Sequence, residues 1–76
     1  MSLHSRPLPP EFWLQQVFEA KAAQQGGVVR RKLSDVDRTV GREAFIAEIR
    51  RRGFHAVENS GQVVVFCNNA PIDLLC

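Results

Sequence analysis

The sequence has no tyrosine, one methionine and only two cysteines, Cys67 and Cys76, in 76 residues. Two cysteines in the last ten residues of the sequence cannot supply the framework of a disulfide-stapled secreted domain, so we expect a reducing compartment. No apolar run approaches the roughly 18 residues of a membrane-spanning helix. Residues 1–10 contain a histidine, an arginine and three prolines where a signal peptide needs an apolar stretch. These absences predict a cytoplasmic protein.

Residues that carry catalysis are equally scarce. The chain has no glycine-rich phosphate loop, and local spacing brings no serine, histidine and acid together. The two histidines, His4 and His55, and the two cysteines show no zinc-knuckle spacing. We therefore expect no enzyme, no metal site, no cofactor and no small-molecule substrate.

Length and composition indicate a single small domain. A hydrophobic fraction of 45% is too high for a disordered tail, and 76 residues can build only one core. The formal net charge of +2 is mild. Pro7, Pro9 and Pro10 predict a flexible arm over residues 1–10, which leaves residues 11–76 for the folded domain.

Apolar spacing predicts three helices. Leu14, Val17 and Phe18 begin a helical stripe that predicts one helix over residues 10–25, ended by Gly26. Ser34 is a candidate N-cap for a short second helix that ends before Gly41. Residues 42–52 predict a third helix. Its apolar face is expected to comprise three residues, namely Phe45, Ile46 and Ile49.

Three short segments have the composition of strands. Residues 28–32 begin with two valines and continue with three basic side chains, which is typical of an edge strand. Residues 54–58 and 62–67 predict a hairpin joined by a three-residue turn over residues 59–61. The second of these runs is apolar on both faces, so it is expected in the middle of the sheet. The fold class is therefore α+β.

The order helix, short strand, short helix, helix and hairpin resembles the winged-helix family. Val36, Val40 and Gly41 stand at hydrophobic and glycine positions like those of a helix-turn-helix. The resemblance covers residues 11–67 and is one of element order. It implies that residues 42–52 form a recognition helix for a DNA groove and that the hairpin is the wing.

The leading functional hypothesis is a small DNA- or RNA-binding regulatory module. Two basic clusters, residues 30–32 and 50–52, hold six of the ten lysines and arginines and could track phosphates as one stripe. The candidate nucleic-acid contacts are Arg30, Arg31, Arg42, Arg50, Arg51, Arg52, Asn59 and Gln62. Glu48, the second of the two carboxylates in residues 42–52, can instead pair with Arg52 four residues on.

The alternative is a protein-protein interaction or self-associating adaptor domain with no nucleic-acid role. The chain carries more aromatic and leucine side chains than a small core encloses easily. The candidate partner interface comprises four of them, Phe12, Trp13, Leu74 and Leu75. Burial of Trp13 between two copies predicts a homodimer.

Overall fold

Seven regular elements follow one another in residues 9–76, the part of the chain that this computed structural model describes. They are α1 (Pro10–Glu19), α2 (Lys21–Gln24), β1 (Val28–Lys32), α3 (Leu33–Thr39), α4 (Arg42–Arg51), β2 (His55–Asn59) and β3 (Gln62–Phe66). The strands form one antiparallel sheet in the order β1-β3-β2. The α+β class and the order of elements are confirmed. The arm predicted over residues 1–10 lies, except for Pro9 and Pro10, outside the described residues, and Pro10 already belongs to α1.

The helix predicted over residues 10–25 is interrupted, so that prediction was wrong in detail. Ala20 adopts extended backbone angles, φ −55° and ψ 147°, which end α1 and redirect the chain into the short α2. The change of direction brings Ala23 into the core beside Val17 and Phe18. Local helix propensity is high here, and tertiary packing overrides it.

The short helix predicted to follow Ser34 is α3, and it begins two residues earlier than predicted. Lys32 holds the N-cap position, and no side chain caps the helix, so Ser34 is not the cap. The reason is that Leu33 is buried and its N–H donates to the Gly61 carbonyl at 2.9 Å, which fixes the chain where β1 ends. The turn into α4 uses Gly41 at φ 89°, a left-handed conformation that glycine adopts without strain.

The sheet places β3 in the middle, as its two apolar faces predicted. The register aligns Val29, Val65 and Ala56 across the three strands, and Arg30, Val64 and Val57 in the next row. Residues that pair across antiparallel strands point to the same face of the sheet, and successive residues of one strand alternate between the faces. The two rows therefore lie on opposite faces. Val65 lies in the core cluster and marks the inner face, whereas Val64 and Arg30 lie on the outer face.

The hairpin turn has two residues, not three. Asn59 pairs with Gln62, and Ser60 and Gly61 between them both have positive φ, 50° and 75°. Positive φ at both central positions is the type I′ turn that matches the twist of the flanking strands. The strand before the turn is accordingly His55–Asn59. Phe54 lies outside it, with its N–H donating to the Ile49 carbonyl at the end of α4.

One apolar core joins the helices to the inner face of the sheet. At its centre, the centroid of the Phe45 ring lies 5.9 Å from the centroid of the Trp13 ring and 6.1 Å from that of the Phe18 ring. The other buried members are Val17, Ala23, Val29, Leu33, Val36, Ile49, Val63, Val65 and Cys67. Within residues 9–76, no helix combines the length and apolar character needed to cross a membrane.

Candidate nucleic-acid interface

The exposed side of α4 is the surface that the sequence singled out. Phe45 and Ile49 are buried on one side of this helix. At 100° per residue the opposite side is formed by Glu43, Ala47 and Arg51, all exposed. The helix therefore offers a small alanine between charged side chains, which allows another molecule to approach its backbone closely.

The arginines predicted to bind phosphates differ in how they are held. Nε and Nη2 of Arg42 donate to the two carboxylate oxygens of Asp37 at 3.2 and 2.9 Å. This pairing raises the pKa of Arg42, first through the hydrogen bond and then through the charge of Asp37. Arg50 makes no ion pair with any acid of residues 9–76. Arg42 is thus held by Asp37, whereas the guanidinium of Arg50 is not ion-paired within residues 9–76.

Glu48 holds the other two arginines of the cluster. Its carboxylate accepts hydrogen bonds from Nε and Nη2 of Arg51 at 3.0 and 2.6 Å, and from Nε of Arg52 at 2.6 Å. The hydrogen bond from Arg51, assisted by Arg52, lowers the pKa of Glu48 to about 2 against the opposing effect of its burial. The pairing of Glu48 with Arg52 was anticipated, whereas the second arginine was not.

Arg52 is also tied to the core. Its guanidinium carbon lies 4.4 Å from the centroid of the Phe18 ring, within the range of a cation–π contact. Because one face of the guanidinium covers an aromatic ring and its Nε is bonded to Glu48, Arg52 has a structural role here. Of the residues 50–52 cluster, Arg50 and Arg51 present the more accessible charge.

The two basic clusters do not form one stripe. Arg30 and Arg31 are neighbours on β1, so their side chains point to opposite faces of the sheet. Arg31 is half-buried and donates to the Arg30 carbonyl at 2.6 Å. β1 and α4 also lie at different edges, because α4 contacts β2 and β1 is the other edge strand. The continuous stripe was therefore a wrong expectation, and the reason is strand alternation together with strand order.

The hairpin residues Asn59 and Gln62 lie directly opposite each other beside the turn. Asn59 is exposed and Gln62 is half-buried, and the register adds Lys32 from β1 to the same row. Arg42 begins α4 and lines the same cleft as Glu58, which precedes Asn59 in β2. The hairpin tip and the start of α4 thus form one neighbourhood, with Arg50 and Arg51 at the other end of the helix.

An apolar cleft opens between α4 and β2. It has a volume of about 360 Å³, and its apolar lining includes Leu33, Phe45, Ile46, Ile49, Val57 and Val63. Charged and titratable side chains at the cleft are Arg42, Arg50, His55 and Glu58. Sequence reasoning missed this cleft, because it assigned Ile46 to the buried face, whereas Ile46 is 40% exposed. His55 is exposed on β2.

The candidate partner residues behave as two groups. Trp13 is half-buried against Phe45 in its own chain, which removes much of the physical reason for burying it between copies. Phe12 stays 57% exposed on α1. Leu74 and Leu75 are 90% and 92% exposed, so the end of the chain does not fold back over the core.

Comparison with known proteins found no matching family model, no matching curated protein and no matching solved structure.

Proposed function

We propose that this chain is a small, winged-helix-like nucleic-acid-binding module of the cytoplasm. The arrangement that carries the proposal is α3, Gly41 and α4 followed by a hairpin whose second strand pairs with β1. That order places an exposed helix beside an exposed hairpin, as winged helices do when the helix enters the major groove. The compartment rests on the free thiols of Cys67 and Cys76.

The contacts proposed on α4 are Arg50 and Arg51, with Ala47 allowing close approach to the duplex. At the other end of the helix, Arg42 and the hairpin residue Asn59 reach the next phosphates. The ion pair of Arg42 does not oppose this role, because exposed pairs contribute little and a phosphate can replace the carboxylate of Asp37. Arg51 can turn to a phosphate because Arg52 still pairs with Glu48. Arg52 is not among the proposed contacts, because it lies over the Phe18 ring and donates to Glu48.

The test is binding to duplex DNA and duplex RNA as a function of salt. If the three arginines neutralise phosphates, the logarithm of the affinity falls with the logarithm of the salt concentration with a slope of about −3. We expect Arg50→Ala and Arg51→Ala each to weaken binding and to reduce that slope by about 1. Lys21→Ala, which removes the same charge from α2, is the matched control and leaves binding near wild type.

Weak binding that hardly responds to salt, or an equal effect of all three variants, contradicts the proposal. The second candidate function, an interaction module without a nucleic-acid role, is then favoured. The specific observation behind it is that Arg42, Arg51 and Arg52 are paired with acids next to an open apolar cleft.

A further inference from the structure

Strand β2 has an unused edge beside the cleft. Within residues 9–76 it pairs with β3 alone, and all five of its residues are exposed. Asn59 and Gln62 flank a two-residue turn and therefore form a hydrogen-bonded pair, after which bonded and non-bonded pairs alternate. Ala56 and Glu58 thus direct their backbone N–H and C=O groups away from β3. These groups can receive one further extended segment.

The chain itself carries an extended apolar segment that is not packed. Residues 68–76, here called the tail, contain no helix or strand. Ile72 is 44% exposed, and Leu74 and Leu75 are almost fully exposed. Exposure of neighbouring leucines costs burial free energy, so such a segment favours an apolar partner.

We propose that the tail of a second copy of this chain adds to the edge of β2 and fills the cleft. In an extended segment alternate side chains share a face, so Ile72 and Leu74 enter the cleft together against Ile46 and Ala56, which lies on the inner face of β2. The backbone of the tail bonds to the free edge groups of Ala56 and Glu58. Reciprocal exchange of tails fills both clefts and closes a two-fold dimer.

Charge supports the same occupant. Arg50 lines the cleft and has no ion-pair partner among residues 9–76. The cleft is lined by two arginines and one acid, Arg42, Arg50 and Glu58, so the formal charge of its lining is +1, whereas the tail carries one acid, Asp73. Because successive side chains of an extended segment alternate, Asp73 lies on the face away from the cleft floor, and its charge attracts Arg50 at the rim of the cleft.

The start of the tail argues for exchange between copies. Asn68 Nδ2 donates to the Gly26 carbonyl at 3.0 Å, and Cys67 N–H donates to Gly27 at 2.9 Å. These two hydrogen bonds, to the carbonyls of Gly26 and Gly27, hold the start of the tail beside the residues that precede β1. The cleft lies at the opposite edge of the sheet, along β2. Within its own chain the tail does not occupy the cleft, because Leu74 and Leu75 stay almost fully exposed, so the occupant is the tail of a second copy.

The test is sedimentation equilibrium of the full chain without nucleic acid, so that it is independent of the proposed function. At ~100 µM, a concentration suited to a small and weak interface, we expect wild type to be dimeric. Replacing Ile72 and Leu74, the two residues that enter the cleft, with serine should weaken the dimer by ~30-fold or more, given the apolar burial lost. Ile46→Glu, which places a charge in the cleft, should do the same.

Phe12→Ala is the matched control, because Phe12 is an exposed apolar residue on α1 far from the proposed contact in sequence and element. It should remain dimeric. If Ile46→Glu loses its folded circular dichroism spectrum, Ala56→Lys tests the same cleft from the inner face of β2. A monomeric wild type, or a dimer that survives either cleft variant in folded form, overturns the proposal. Loss of the dimer in Phe12→Ala alone also overturns it and points to pairing through α1.

Discussion

At the scale of single residues, Glu48 organises the charge at the end of α4. It is 17% exposed and binds two arginines, one mostly exposed and one stacked on Phe18. A carboxylate that accepts several charge-assisted hydrogen bonds stays ionised far below its usual range, which explains its pKa of about 2. Glu48 thus connects the surface charge of the helix to the edge of the core.

Glu48→Gln should lower the free energy of unfolding at neutral pH by about 1–2 kcal/mol, a value reduced from the full pKa effect because Arg51 is largely exposed to solvent. The folded-state pKa of about 2 lies below the ordinary 4.5. The stabilisation is therefore complete above pH 4.5 and is lost as the pH falls towards 2.

Urea denaturation of both proteins at several pH values measures this. The gap in free energy between wild type and Glu48→Gln should be largest at neutral pH and should close in acid. Glu43→Gln, on the exposed side of the same helix, is the control, since Glu43 has no ion-pair partner in residues 9–76. A difference in free energy of unfolding that does not change with pH contradicts the low folded-state pKa of Glu48.

At the scale of elements, the hairpin turn contains a residue, Ser60, whose side chain does not favour its backbone conformation. The type I′ turn demands positive φ at two successive residues, and Ser60 meets this demand at 50° without being a residue that favours it. Asparagine tolerates the left-handed region much better than serine, and Asn-Gly is the preferred pair for this turn. The turn therefore stores a small amount of backbone strain.

Ser60→Asn should accordingly raise the free energy of unfolding by about 0.5 kcal/mol, a size typical of turn substitutions that relieve unfavourable φ. Chemical denaturation checks it, with Ser60→Ala as the opposite control because alanine lacks the polar side chain that favours this conformation. If asparagine destabilises the protein while alanine does not, the turn is not of type I′ in solution.

At the scale of the whole molecule, stability depends on one aromatic cluster. Phe45 is 1% exposed and its ring neighbours come from α1, so it links the first helix to α4. A domain of 76 residues has a net stability of about 4–11 kcal/mol by typical values per residue. Loss of a single large core side chain is comparable with that total.

Phe45→Ala should cost about 3–5 kcal/mol, through lost burial and the cavity left behind. Thermal unfolding should then shift down by at least about 12 °C, or show no cooperative transition. Phe12→Ala removes the same ring from an exposed position and should change stability by less than about 0.5 kcal/mol. Similar effects of the two substitutions would contradict the packing described for α1.

Much of the fold followed from local pattern. The valines of β3 predicted a strand buried on both faces, and it is the central strand. The basic residues of β1 predicted an edge strand, and it is one. These predictions succeeded because alternation and apolar content are properties of a strand alone. Element bounds were less accurate, as the break at Ala20 and the two-residue turn show.

By itself the sequence determined the α+β class, the order of the elements, the strand that is central and the helix that carries the arginines. Only the tertiary structure decided which of those arginines are free. Arg50 remains available while Arg51 and Arg52 share Glu48, and Arg42 pairs with Asp37 across the Gly41 turn. It also decided that Ile46 opens into a cleft. Periodicity specifies which side of an element is apolar, but the distance between two charges, or the gap between a helix and an edge strand, depends on how the elements pack.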